Sequence, residues 1–396
     1  LCLLSIYNLR AQDGRQLRLV PTSALGGNFS DFFSTVNFIP LETNNTSIFS
    51  AIDQLEVTKE YFIILDRETN AILIFSKSGK FHSKITGASI GYRNPMQYFY
   101  YDPLTELIKI PSRVKRNEMI LINLEGKVVK RSATPFNTFD EVFFFPDSSI
   151  GHISYNVDPR LNSTLAYEVF VEKTDQVLYR YFPYNTKTAT IRSNDIIWNS
   201  HINFYKSDSD TTTLLVRPYD FHIYRLSPKS LDTAYEIVLP MVNSLPASFR
   251  TDSTINGKRS TYLLQNPELV YNISHTYKLN DKLYFKLNSM GKSNYSFVYN
   301  MKDQSLIDLL KVTPDQGSSY LAITDFALGG TEFLNKNFLN TDGENLYTSY
   351  SASRFFNQRD ENKSKIVNYP PELQNIFDGI SPKSNPLIIQ IKPKRD

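Results

Sequence analysis

The feature that most constrains this chain is a two-strand unit that recurs with the same turn. Ile72-Leu73-Ile74-Phe75-Ser76-Lys77-Ser78-Gly79-Lys80 lines up with Met119-Ile120-Leu121-Ile122-Asn123-Leu124-Glu125-Gly126-Lys127, which places Gly126 47 residues after Gly79. Periods of about 40–50 residues built from short apolar strands are those of propeller blades, each a four-stranded sheet. Gly79 and Gly126 supply the positive φ that a tight hairpin demands. The expected fold is all-β: a six-bladed β-propeller of four-stranded antiparallel blades.

Blade one shows why. Ile52–Val57 alternates, Tyr61–Asp66 is a continuous apolar run, and Ala71–Phe75 and Lys80–Ile85 follow. A continuous run suits a middle strand covered on both faces, as stacked blades require. Blade two spans Gln97 to Arg131 with a first turn at Asp102-Pro103. Blade three runs from Phe139 to about Pro183 with an insert around Asp158-Pro159. Blade four starts near His201 and uses Thr213–Val216, Phe221–Leu226 and Ala234–Leu239, and blade five covers Tyr271–Leu310 with an Asn280-Asp281 turn. The last blade holds only three strands, at Phe338-Leu339, Leu346–Tyr350 and Leu387–Ile391. The missing fourth is Val36–Leu41, so an N-terminal strand closes the ring and removes its free edges. The domain reading is therefore a lead-in over 12–35 and a propeller over 36–396. It carries inserts near 241–265 and 352–385, the latter with a short helix that starts at Pro371.

Composition sets the other bounds. Of 396 residues, 43 are basic and 40 acidic, and the net charge of +3 comes without any dense basic cluster. That excludes an electrostatic case for nucleic acid. No apolar run reaches the ~20 residues needed to span a bilayer. The single Cys2 sits in the apolar start Leu1–Tyr7, and the chain turns polar after Ala11. Residues 1–11 read as the remnant of a secretory signal peptide cleaved after Ala11, which places the mature protein in the periplasm or at the outer cell surface. A lipidated Cys2 is the alternative start. A mature chain without cysteine fits neither a disulfide-stapled domain nor a thiol enzyme.

Several segments resemble a known family: Phe38-Ile39-Pro40-Leu41-Glu42-Thr43, the Tyr61–Lys80 blade, Phe221-His222-Ile223-Tyr224-Arg225-Leu226 and Asn385-Pro386-Leu387-Ile388-Ile389. They are similar to the secreted or lipid-anchored six-bladed propellers of Gram-negative gut bacteria, relatives of NHL-type propellers. The resemblance covers most of the chain from Val36 and implies the fold; it implies no particular chemistry. His222 departs from it, because a small hydroxyl residue is commoner there.

Five histidines and a set of strand-end carboxylates are the candidates for chemistry. His201 and His275 each open the first strand of a blade, and first strands line a propeller's channel. With His152 they would make a three-histidine metal site, but nothing in their spacing fixes one, so no metal and no cofactor is assigned. Asp53, Asp66, Asp140, Asp220 and Asp325 read as turn residues. Glu56, Asn203 and Asp325 form one of many trios that would suit a calcium-dependent lactonase. There is no Gly-rich phosphate loop and no G-x-S-x-G elbow. Aromatic runs such as Tyr98–Tyr101 and Phe143–Phe145 read as core between blades. The binding residues proposed for the channel mouth are Trp198, His201 and His275. Two functions remain open. One is a non-catalytic binding or scaffold propeller of the cell envelope that takes a peptide, a glycan or an envelope protein through its channel face. The other is a metal-assisted hydrolase or lyase with its site in the channel.

Overall fold

The computed structural model describes residues 15–92, 95–112, 118–133, 141–155, 164–174, 176–186, 195–196, 203–291, 295–323, 340–365 and 368–395. They form six sheets arranged as a closed propeller. Blade one is Gln54–Val57, Tyr61–Asp66, Ala71–Ser76 and Phe81–Thr86, and each strand pairs antiparallel with the next. Its two middle strands are buried on both faces: Phe62 to Leu65 and Ala71 to Phe75 have no exposed surface. Each such Ile, Leu or Phe contributes about 1.5–3 kcal/mol by leaving water. This burial explains why the middle strands read as unbroken apolar runs rather than as alternation.

The ring closes as the sequence implies. Phe33–Pro40 is the outer strand of the last blade and pairs antiparallel with Leu387–Pro393, with Ile39 opposite Ile388, Phe38 opposite Ile389 and Val36 opposite Ile391. Leu41 lies just beyond the strand and is buried. Asn385 clasps the joint from inside. Its side chain donates to the carbonyls of Glu42 at 2.8 Å and Ser47 at 3.0 Å, and it accepts from the Phe49 amide at 3.0 Å. The expected Phe338-Leu339 strand falls outside the described residues; Asn340–Thr341 is the inner strand seen there.

The lead-in is also built into sheets. Arg15–Arg18 lies parallel along the outer strand of blade four, with Arg15 opposite Tyr235, and Leu25–Asn28 lies parallel along the outer strand of blade five. The chain start therefore belts blades four and five before it closes blade six, and covers sheet edges that would otherwise face solvent.

Strand direction sorts the connections between two ends of the ring. First-to-second and third-to-fourth connections lie at one end, which we call the hairpin end. Second-to-third and blade-to-blade connections lie at the other, the loop end. Hairpin-end turns are short, such as Asn280-Asp281 between Leu279 and Lys282. The long segments are at the loop end: 239–269 between blades four and five, and 351–386 within blade six. The latter contains the helices Ala352–Glu361 and Pro371–Gly379. The expected inserts near 241–265 and 352–385 thus share one end.

Candidate functional site

Of the three residues proposed for the channel mouth, Trp198 and His201 lie outside the described residues. His275 lies on Val270–Leu279, the first strand of blade five, at a bulge where its φ is +51°. It is buried. Its Nδ1 is 3.0 Å from Ser274 Oγ and its ring centroid is 6.4 Å from that of Tyr205 on blade four. Burial, helped by the Lys286 charge, pushes its pKa down to about 3, so the imidazole is neutral at physiological pH. His152 is on the second strand of blade three, buried, with Nε2 3.6 Å from Glu172. His82 and His222 lie on the fourth strand of blade one and the third strand of blade four. Among the described residues, no three His, Cys, Asp or Glu side chains gather as a metal site.

The trio of Glu56, Asn203 and Asp325 is not assembled as a ligand set. Asp325 lies outside the described residues, while Glu56 and Asn203 each have other partners. Glu56 Oε1 is 2.6 Å from Lys206 Nζ, and Glu56 Oε2 accepts from Asn340 Nδ2 at 3.3 Å. Asn203 is held by Glu141, whose carboxylate accepts from the Asn203 amide at 2.6 Å, from Asn203 Nδ2 at 2.8 Å and from the Phe204 amide at 3.0 Å. Burial pushes the Glu141 carboxyl up to about 8 against the opposing pull of these donors.

Glu141 belongs to a pattern that runs round the channel, at the loop end for Gln54 and Glu141 and nearer the hairpin end for Asn340. The first residue of one inner strand grips the backbone of the next blade. In blade one, the Gln54 side chain donates to the Phe99 carbonyl at 2.8 Å and accepts from the Phe99 amide at 3.1 Å. In blade six, Asn340 Nδ2 donates to the Leu55 carbonyl at 2.7 Å. An amide side chain can meet both a donor and an acceptor, as Gln54 does, whereas Glu141 can serve N–H groups alone while ionised.

The strongest charge cluster is at the loop end of blades three and four. Arg217 Nε donates to Glu168 Oε2 at 3.0 Å, and Arg217 Nη1 is 3.2 Å from Asp220. The Arg217 guanidinium also stacks 3.5 Å above the Phe182 ring. Asp220 accepts from His222 Nδ1 at 2.7 Å and from the Tyr224 hydroxyl at 2.9 Å. Burial alone would raise the Asp220 pKa, but the His222 hydrogen bond and the Arg217 charge outweigh it and hold the carboxyl well below its usual range. Arg217 is likewise pulled up, because Glu168 and Asp220 overcome the burial that would lower it.

The same cluster holds the 241–265 insert to the ring. Arg250 Nη2 is 2.7 Å from Glu168 Oε1, and its Nη1 donates to the Pro218 carbonyl. Arg259 has no exposed surface. It pairs with Asp195 and donates to the carbonyls of Phe249 at 3.0 Å and Asp252 at 3.0 Å. Phe249, Leu263, Tyr219 and Tyr271 form a small core beneath the insert. Above it Met241, Val242 and Leu264 are exposed. Of this cluster only Asp220 was singled out from the sequence, as a turn residue; the arginines, Glu168 and Asp195 were not. The legible signal was charge inside apolar runs: Glu168 precedes Val169-Phe170-Val171, and Arg217 follows Leu214-Leu215-Val216. Charges in such places are almost always paired.

A family model described as a domain of unknown function, DUF4934, matches residues 23–392. The chain belongs to the DUF4934 family. No curated protein matches the sequence. Among solved structures, a protein of Bacteroides fragilis NCTC 9343 designated as exported shares 12% identity. That match has a TM-score of 0.66 and covers 96% of this chain and all of the other. A DUF4221 family member from Bacteroides vulgatus ATCC 8482 shares 11% identity at a TM-score of 0.47, over 92% of this chain and 99% of the other. The first likeness is one of fold. A kinship to NHL-type propellers, expected from the motifs, is not what the family match identifies.

Proposed function

We propose that this DUF4934 propeller is a non-catalytic binding or scaffold module of the bacterial cell envelope that engages its ligand at the loop end of the channel. The observation that carries the reading is the construction of that end. Its longest blade-to-blade segment is fixed by a partly buried pair, Arg250–Glu168, and a buried one, Arg259–Asp195, rather than left as a free loop. Loops held in one shape lower the ordering cost of association, which is what a recognition surface needs. The exposed Met241, Val242 and Leu264 then sit on a fixed support. Trp198, His201 and His275 are the residues assigned to the ligand at the mouth. The apolar start of the sequence supports an exported protein, as does the designation of the Bacteroides fragilis neighbour.

The test is a thermal-shift and titration screen of the purified protein against envelope-type oligosaccharides and peptides, with elemental analysis of the same sample. The reading predicts a saturable ligand. Its affinity falls at least tenfold in Trp198→Ala and His201→Ala and is unchanged in the hairpin-end variant Lys80→Glu. Stoichiometric zinc or calcium, with turnover that a chelator abolishes, would move the assignment to a metal-assisted hydrolase or lyase.

A further inference from the structure

The channel has a second end, and there the chain does something that its proposed role does not require. Glu56 is the penultimate residue of the first strand of blade one, and Lys206 is the last residue of the first strand of blade four. First strands run from the loop end to the hairpin end, so both side chains lie at the hairpin mouth. In a ring of six, blades one and four are opposite. Lys206 nevertheless reaches Glu56 Oε1 at 2.6 Å and the Val57 carbonyl at 3.2 Å. Asn340, from blade six, donates to the other carboxylate oxygen at 3.3 Å and to the Leu55 carbonyl at 2.7 Å. Three of the six inner strands are thereby tied to one carboxylate.

We infer that the channel is a blind cup: the Lys206–Glu56 pair bars its hairpin end, and a ligand enters and leaves only through the loop end. The inference rests on the binding reading for the direction of entry alone, because the bar is a property of the protein without ligand. A lysine that spans the axis gives up side-chain freedom, and that cost is met only if it finds a partner of opposite charge and an additional acceptor on the far side. Glu56 and the Val57 carbonyl are those partners. Other charged groups surround the bar. Lys77 lies near, and its pKa is lowered mainly by burial between the rings of Phe62 and Tyr347. Asp342 and Glu60 add negative charge on the same side. The tyrosines Tyr101 and Tyr277 also feel the Glu56 charge. The bar is therefore a cation held in a mouth of net mixed charge, not an isolated ion pair.

A double-mutant cycle with hydrogen exchange tests this directly. Glu56→Gln, Lys206→Met, their combination and the charge swap Glu56→Lys/Lys206→Glu would be compared by melting temperature and by amide exchange of residues 54–57 and 204–206. Because both partners are partly exposed, each single change should lower Tm by about 2 °C for a chain of this size. The combination should lower it no further, and exchange at both distant strands should quicken together about threefold in either single variant. The swap should recover most of the loss. Additive losses, or exchange that quickens only at the substituted blade, would overturn the bar. Those outcomes are independent of whether any ligand is found, so failure here would leave the binding reading standing.

Discussion

At the hairpin end, blade five turns over Asn280-Asp281 between Leu279 and Lys282, with Asn280 at φ +52°. At the loop end, the chain travels from Leu239 to Leu269 to move from blade four to blade five. The first turn is decided locally: two polar residues that accept a left-handed conformation between apolar strands suffice. The second is decided by distant partners, since Arg259 finds Asp195 and Arg250 finds Glu168 across the sequence. The ring can thus join its strands by short local turns at one end while the other end carries individual structure. The individual end is the one to which the binding role is assigned, and the comparison can be broken in several ways.

The largest effect should come from Arg259→Met. It removes the cation from a site without solvent access, leaves Asp195 without its charged partner and takes the side-chain donor from the Phe249 and Asp252 carbonyls. Breaking a buried pair on one side typically costs about 3–5 kcal/mol. The loss should be local first: limited proteolysis would cut within 241–265 while the blades remain resistant. Cleavage no faster than in the parent protein would remove the pairing from the account of the insert.

A smaller effect separates two equivalent hairpin glycines. Gly79 and Gly126 both have φ +81°. A Cβ at Gly79 would lie 2.1 Å from the Pro40 carbonyl oxygen of the closing strand, whereas one at Gly126 would meet nothing nearer than the Lys84 carbonyl oxygen at 3.4 Å. Both alanine variants bear a left-handed backbone cost of about 1 kcal/mol. Gly79→Ala should cost about 1–3 kcal/mol more, because the clash is with backbone that closes the ring. Urea denaturation of the two variants side by side measures the difference, and equal losses would show that the closing strand yields without strain.

A third effect is in pH. The Glu141 carboxyl stands near 8 in the folded protein against 4.5 ordinarily. A raised acid binds its proton more tightly when folded, so its contribution is full below about pH 4 and is lost as pH rises through 8. Stability should therefore decline between pH 5 and pH 8. Asp220, held low, acts with the opposite sign: its contribution is present above the usual carboxylate range and is lost on acidification. Urea midpoints at pH 5, 6.5 and 8 should slope downward in the parent and flatten in Glu141→Gln. A slope that persists in that variant would assign it to another group.

The legibility of the fold follows from the same contrast. The blade strands, the Gly79 and Gly126 hairpins and the closing strand are visible in the sequence because each depends on local pattern or on simple strand counting. Val36–Leu41 was expected to complete the last blade, and the strand that does so is Phe33–Pro40, three residues longer at its start and one shorter at its end. The parallel belt at Arg15–Arg18 and Leu25–Asn28 was not legible. Four-residue strands that add to an existing edge need no alternation of their own, and Leu25-Gly26-Gly27-Asn28 has none. His275 illustrates the limit for the site. Its place on a first strand could be read, but the bulge that buries it against Tyr205 is a matter of register, which no single strand encodes. Arg250 and Arg259 were missed because each lies far in sequence from its acidic partner, and Arg217 because Glu168 is also distant while Asp220, three residues on, reads as a turn residue.

The central claim is that the loop end is a fixed surface rather than a set of free loops, and hydrogen–deuterium exchange of the ligand-free protein tests it most directly. The account predicts that amides of the helix Arg259–Gln265 and of Phe249 exchange at least a hundredfold more slowly than an open chain and lose that protection in Arg259→Met while the blades keep theirs. Exchange across 241–265 at open-chain rates in the parent protein would contradict it.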